Sequence, residues 1–141
     1  KAWDVFGGYT YMDSEQKDLG KQADGRDRAG TGLAFPNTPK HSYSLWTSYH
    51  FTPKFTAGVG IYGQSEVVGN YAYSGNALIK RAIGGYTRFD AMASYAYSRN
   101  VTLQLNVSNL FDKTYYGSTY TTHYATLANG RSAVLSANVK F

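Results

Sequence analysis

Six stretches of this chain alternate apolar and polar residues with a period of two, and long and short gaps take turns between them. The first is Trp3–Met12, with Trp3, Val5, Tyr9 and Tyr11 on one face. The second is Lys40–Phe51, where Tyr43, Leu45, Tyr49 and Phe51 oppose Ser42, Ser44, Ser48 and His50. The third is Phe55–Val67, with Phe55, Ala57, Val59 and Ile61 against Thr56, Gly58, Gly60 and Gln64. The fourth is Tyr86–Tyr97, where Phe89, Ala91, Ala93, Tyr95 and Tyr97 share a face. The fifth, Val101–Ser108, is the cleanest: Val101, Leu103, Leu105 and Val107 against Thr102, Gln104, Asn106 and Ser108. The last is Ser132–Phe141, with Ala133, Leu135, Ala137, Val139 and Phe141 against Ser136, Asn138 and Lys140. Successive side chains of a strand point to opposite faces, so each stretch predicts a β-strand with one apolar face. Their lengths suit the roughly 9–11 residues of a tilted membrane-crossing strand.

The charges sort in the same way. Asp4, Lys40, Glu66, Arg88, Asp90 and Lys140 all take the polar side of the alternation. A Lys or Arg on the lipid face at the bilayer midplane costs about 2–4 kcal/mol, so a barrel wall requires this sorting. A water-soluble sandwich alternates too, but here the aromatics gather at strand ends. Trp3, Phe51, Phe55, Tyr97 and Phe141 fall at one end, and Tyr9, Tyr11, Tyr43, Tyr86 and Phe111 at the other, as two interfacial girdles. Phe6, Trp46 and Tyr62 depart from this and sit on the polar face.

The connections predict orientation. Thr52-Pro53-Lys54 and Ser98-Arg99-Asn100 are tight turns, whereas residues 13–39, 68–85 and 112–131 are long loops. Bacterial barrels keep short turns on the periplasmic side and long loops outside, which puts both chain ends on the periplasmic side. The first loop carries five acidic and four basic residues among Gly and Ala, and is expected to be mobile and solvated. Six strands are too few to close a membrane barrel, and open edges are not tolerated in lipid. The expectation is therefore a piece of a larger barrel, with no helix longer than about two turns. The chain starts directly in strand-like sequence at Lys1-Ala2-Trp3-Asp4, without a leader. It is expected to be either a mature chain or one whose N-terminal portion is missing.

Composition agrees with this reading. Aromatics make up 16% of 141 residues, with 14 Tyr and 15 Gly, and there is no Cys. Leu and Ile are too sparse for a helical bundle, and no stretch approaches the roughly 18 apolar residues of a membrane helix. The mean hydropathy of −0.42 does not exclude a membrane, because half of every barrel strand is polar. The net charge of +5 suits an anionic ligand or a lipopolysaccharide-rich surface. No basic cluster interleaved with stacking aromatics supports nucleic acid.

Asn109-Leu110-Phe111-Asp112-Lys113-Thr114-Tyr115-Tyr116, following the strand Leu103–Ser108, resembles the signature of TonB-dependent receptors, in which an Asn-Leu-Phe-Asp-Lys-x-Tyr run ends the penultimate strand. Thr38–Tyr49 is similar to the Pro-x-His-x-x-x-Leu-Trp strand of the siderophore-receptor branch. Gly85-Tyr86-Thr87-Arg88-Phe89-Asp90-Ala91 resembles its Pro-Gly-Tyr-x-x-Phe-Asp segment, although Ile83-Gly84 stands where Val/Leu-Pro is usual. The terminal Phe141 is similar to the signal read by the barrel-assembly machinery. The resemblance covers essentially the whole chain and is closest to catecholate-type siderophore receptors. It implies an all-β transmembrane antiparallel barrel, with residues 1–141 as the last six strands of a large barrel of about 22. The plug domain and the TonB-binding box have no counterpart here. The complete protein would be a multi-pass outer-membrane transporter of a Gram-negative bacterium, taking up ferric siderophores with the TonB complex. Alternatives are a receptor for haem or vitamin B12 or, further off, an adhesin or barrel enzyme.

A ferric catecholate is flat-sided, aromatic and anionic, so Tyr rings can pack on it and Arg or Lys can pair with its charge. The candidates for contact are Tyr71, Tyr73, Lys80 and Arg81 in the second loop, with Tyr120, His123, Tyr124 and Arg131 around the third. The alternative reading of each single residue, and the more common one for such positions, is an ordinary loop or girdle residue. Asn109, Leu110, Phe111, Asp112, Tyr115 and Tyr116 are read as structural, fixing a turn and an interfacial anchor. His41, His50 and His123 lack metal-ligand spacing, so no metal or other cofactor is called for, and no Ser, His and Asp spacing suggests catalysis. Gly58 and Gly60 are expected to leave room for the plug or to ease strand coiling.

Overall fold

The computed structural model describes residues 2–120 and 124–141. Ten strands follow one another: β1 (Trp3–Tyr11), β2 (His41–Thr52), β3 (Phe55–Gln64), β4 (Val67–Ser74), β5 (Ala77–Ile83), β6 (Tyr86–Ala96), β7 (Val101–Ser108), β8 (Tyr116–Tyr120), β9 (Tyr124–Leu127) and β10 (Ser132–Val139). Among the described residues there is no helix. Six strands form one antiparallel sheet in the order β1-β2-β3-β6-β7-β10, and β4-β5 and β8-β9 are separate hairpins. The six sheet strands are those the alternation predicts. The hairpins inside the second and third loops are not, and Val67, assigned from sequence to the third strand, opens β4 opposite Ile83. Lys40, Glu66 and Lys140 consequently lie just outside the sheet strands, and Asp4, Arg88 and Asp90 lie within them.

Pairing keeps one face apolar across the whole sheet. The row Val5↔Thr47, Thr47↔Val59, Val59↔Ala91, Ala91↔Val107 and Val107↔Ala133 crosses all six strands. The next row, on the opposite face, runs Asp4↔Ser48, Ser48↔Gly58, Gly58↔Met92, Met92↔Asn106 and Asn106↔Val134. A slip of one residue in any strand would turn its apolar set to the other side. The apolar face has no second layer over it: Trp3, Val59 and Leu135 are 61%, 53% and 71% exposed. The buried hydrophobic side chains, Val67, Tyr71 and Ile83, belong to the β4-β5 hairpin instead. A sheet folded for water would cover such a face with another layer. This one is built as a wall between a polar and an apolar medium.

The aromatic residues of the two ends touch one another. At the tight-turn end Trp3 meets Tyr49 edge-on at 5.7 Å, Tyr49 meets Phe51 at 4.9 Å, and Phe51 lies 5.6 Å from Phe55. At the loop end Tyr11 lies 5.3 Å from His41, and Phe89 meets Phe111 at 5.4 Å. Tyr86 does not join this second girdle. It stacks on Tyr115 at 4.1 Å, two positions from Arg88 on the same face of its strand. Both chain termini lie at the tight-turn end, where His50 N–H donates to the Ala2 carbonyl and Lys140 N–H to that of Asn100. On the polar face the Trp46 ring lies over Gly60, where a Cβ would collide with it, and its edge reaches Gly58, where a Cβ would first meet the Thr47 carbonyl. The bare backbone at Gly60 therefore seats the tryptophan ring on this face.

Candidate functional site

The three long connections converge at the end of the sheet opposite the tight turns. The first loop is exposed over most of its length, as expected of a solvated segment, and its arms are also hydrogen-bonded to each other. Gln16 N–H donates to Leu33 O at 2.8 Å and Gly32 N–H to Gln16 O at 2.8 Å, pairing the loop's two arms. Further out, Lys21 and Asp27 form a β-bridge and a 2.5 Å ion pair. The loop also docks on its neighbour, with Asn37 N–H donating to Val68 O at 2.7 Å. Polar composition here reflects internal pairing as well as solvation.

Arg26 makes the contact at the loop tip. Its guanidinium lies over the Tyr73 ring, 5.0 Å from the centroid, and its Nη1 donates to Gly75 O and Asn76 Oδ1, both at 3.2 Å. Asp24 accepts from its Nε at 2.7 Å and orients the fork. The same hydrogen bonds hold the Asp24 carboxyl below its usual range and push the Arg26 value up. Tyr71, two residues from Tyr73 on β4, is buried beside Gly30 of the first loop. Lys80, opposite Tyr71 on β5, is ion-paired with Glu66, and that hydrogen bond raises its pKa. Arg81 is paired in register with Asn70.

The β8-β9 hairpin packs against β4 and β5. The approach is close because Gly69 has no side chain, and a Cβ there would run into Thr119. Thr119 Oγ1 in turn donates to Tyr124 O at 3.2 Å. Tyr120 and Tyr124, directly paired across the hairpin, are 73% and 71% exposed. His123 lies outside the described residues. Arg131 sits at the foot of the same connection, where its backbone N–H donates to Asp112 Oδ1 at 2.7 Å and its side chain is exposed. The structure thus brings Tyr71, Tyr73, Lys80, Arg81, Tyr120 and Tyr124 onto two adjoining hairpins. Arg131 stands at the base of the third connection. Arg26 and Glu66 were not among the residues singled out by sequence, and both take up groups that were. Their spacing from Tyr73 and Lys80 carries no local signal.

The segment after β7 is tied by one buried side chain. Asn109 is 2% exposed and has a φ of +53°, a left-handed value that Asn tolerates. Its Nδ2 donates to the carbonyls of Lys113 at 3.0 Å and Asn129 at 3.2 Å, and its Oδ1 accepts from Lys113 N–H at 2.9 Å. Its own N–H donates to Asp90 Oδ1 at 2.8 Å, while Asp90 Oδ2 accepts from Arg88 Nη2 at 2.8 Å. Arg88 lies over the Tyr62 ring at 5.1 Å and donates to the Tyr115 hydroxyl at 3.4 Å. Leu110 N–H donates to Phe89 O at 2.7 Å, which places Phe111, 69% exposed, against Phe89 on the apolar side. Asp112, at a φ of 53°, holds the Arg131 N–H. Tyr116 begins β8. Among the described residues no cluster of His, Asp and Glu is arranged to hold a metal.

Comparison with known proteins gives this geometry a family. The family model described as TonB dependent receptor-like, beta-barrel matches residues 1–110. The crystal structure of the siderophore receptor PiuA from Acinetobacter baumannii superposes with a TM-score of 0.84 at 41% identity, over 99% of this chain and 20% of that one. The catecholate siderophore receptor Fiu of Escherichia coli strain K12 is 33% identical over 99% of this chain and 18% of its own length. The closed form of Fiu superposes with a TM-score of 0.74. A Bordetella pertussis protein named "Probable TonB-dependent receptor BfrD" is 40% identical over 99% of this chain and 18% of its own. The chain therefore spans about a fifth of the length of these relatives. With an antiparallel six-stranded sheet, an uncovered apolar face and this similarity along its length, the chain belongs to the TonB-dependent receptor β-barrel family.

Proposed function

We propose that the complete protein is a TonB-dependent outer-membrane receptor that takes up ferric siderophores, and that residues 1–141 are the last six wall strands of a barrel of about 22. The observation that carries this is the likeness to PiuA and Fiu, both named as siderophore receptors, along 99% of the chain. It favours a siderophore over haem or vitamin B12. The apolar face of the sheet meets lipid, and the polar face, with Trp46, Arg88 and Asp90, lines the lumen around the plug domain supplied by the rest of the protein. The long connections face outward from the cell of a Gram-negative bacterium, amid lipopolysaccharide, and the tight turns face the periplasm. TonB engages the plug-bearing portion, and Phe141 is read by the barrel-assembly machinery.

At the outer end the two adjoining hairpins supply the ligand-facing surface. The Tyr120 and Tyr124 rings offer flat apolar contact to an aromatic chelate, and Arg81 and Arg131 offer positive charge to an anionic one. His123 stands between the two tyrosines in the sequence. Tyr73 and Lys80 contribute only when Arg26 and Glu66 yield them. The test is growth under iron limitation of a receptor-deleted strain complemented with the complete gene and fed single siderophores. Uptake of ferric catecholates restored by the gene supports the reading. Restoration by haem or vitamin B12, but by no siderophore, would overturn it.

A further inference from the structure

On the apolar face, at its tight-turn end, lies a groove of about 210 Å³ lined by Trp3, Thr47, Tyr49, Phe51, Ala57 and Val59. Ala57 makes the floor low between large neighbours, and the Trp3–Tyr49–Phe51 ring contacts wall one side. The Trp3 indole N–H donates to Thr47 Oγ1, so the indole presents no unsatisfied donor to an apolar guest. At the same end of the sheet the chain carries three cations. Ala96 N–H donates to Lys54 O at 2.8 Å, which sets the two tight turns side by side and brings Lys54 and Arg99 onto adjoining turns. Asn100 Nδ2 donates to Lys140 O at 2.9 Å, which brings the end of β10, with Lys140, beside the second turn. All three side chains are exposed, and no ion pair to any of them is formed among the described residues. The acid nearest this end, Asp4, is on the other face and bonded to His50 at 2.8 Å.

We propose that this end of the wall binds an anionic glycerophospholipid, with an acyl chain in the groove and the headgroup phosphate on Lys54 and Arg99. The inference rests on the membrane-wall reading of the apolar face and is independent of which chelate the receptor carries. An acyl chain matches the apolar lining, and an interfacial aromatic belt puts the groove at headgroup depth. Basic side chains at that depth attract anionic headgroups over zwitterionic ones. The charge row selects the lipid, because the groove alone would accept any chain.

The experiment uses the complete receptor in nanodiscs of phosphatidylglycerol mixed equally with phosphatidylcholine of the same chains. Native mass spectrometry after release counts the lipids retained, and heat-modifiable gel mobility verifies folding. The wild type should retain phosphatidylglycerol several-fold above its share. A Lys54→Ala/Arg99→Ala variant should retain both lipids in the bulk ratio, and Ala57→Phe, which fills the groove, should retain fewer of both. Ferric-siderophore binding should be unchanged in both variants, so a wrong ligand assignment would not mimic failure here. Bulk-ratio retention by the wild type, or preference surviving in the double variant, would overturn the proposal. Preferential retention of added lipopolysaccharide over phosphatidylglycerol at these residues would overturn it as well.

Discussion

Arg26 holds Tyr73 from above, its guanidinium 5.0 Å from the ring centroid, and bonds to Gly75, 49 positions along the chain. A residue of the first loop thereby closes over the tip of the β4-β5 hairpin. Replacing Arg26 with Ala removes the cation–π contact and two hydrogen bonds together. Limited proteolysis of the complete receptor should then cut within residues 13–39 several times faster, with the folded barrel unchanged. Arg26→Lys should be intermediate, since a single ammonium cannot span ring, carbonyl and amide. Equal cutting rates would show that the loop holds itself through its Gln16 pairings alone.

The clasp carries its own pH dependence. Asp24 has a folded-state pKa below the ordinary 3.8, owing first to its side-chain hydrogen bond with Arg26. A depressed acid contributes order above its unfolded value and loses it as pH falls through the folded one. A spin label at Ala23 in the complete receptor should therefore keep the same mobility from pH 7 to pH 5 and loosen only below about 3.8. Loosening already near pH 6 would assign the switch to a histidine instead.

Leu105 and Gln104 are neighbours on β7 that face opposite media, Leu105 being 40% exposed on the apolar side. In the complete receptor Leu105→Arg should cost about 2–4 kcal/mol and lower the assembled fraction in outer membranes, whereas Gln104→Arg should leave it nearly unchanged. Equal tolerance at both positions would contradict the register Leu105↔Leu135.

Asn109→Ala leaves the Lys113 and Asn129 carbonyls and the Lys113 N–H without their partner. Each of these part-buried hydrogen bonds contributes about 0.5–1.5 kcal/mol. The alanine also meets the positive φ at this position. The midpoint of heat-induced unfolding on gels should fall clearly. Asn109→Gly, which relieves φ but not the hydrogen bonds, should recover only part of the loss. Full recovery by glycine would make backbone conformation the dominant effect.

Capture of an anionic chelate should depend on the balance between Lys80 and Glu66. Lys80→Ala/Arg81→Ala is expected to slow association of a ferric catecholate with the complete receptor by roughly twofold to tenfold at low salt and much less at high salt. Because Glu66 neutralises Lys80 in the resting structure, Glu66→Gln should speed association. Stopped-flow binding at two ionic strengths checks both signs. Unchanged rates in both variants would place capture on other parts of the receptor.

By itself the sequence determined the wall. A period-two pattern is a local property, and each of the six stretches carried enough of it to name its strand and its lipid face. Charge sorting and end-weighted aromatics then separated a membrane wall from a sandwich. Tyr86 was misassigned because its aromatic character suggested a girdle, while its even position in the alternation put it beside Arg88. The hairpins β4-β5 and β8-β9 escaped because their strands are short and their apolar residues meet each other, without an alternating face toward lipid. What only the tertiary structure decided is which loop residues are engaged. Arg26 over Tyr73 and Thr119 against Gly69 join positions about fifty residues apart in the chain, and Glu66 reaches Lys80 across the β4-β5 hairpin. Such pairs arise only when antiparallel folding brings the loops to one end, and no local periodicity encodes a contact between separate loops.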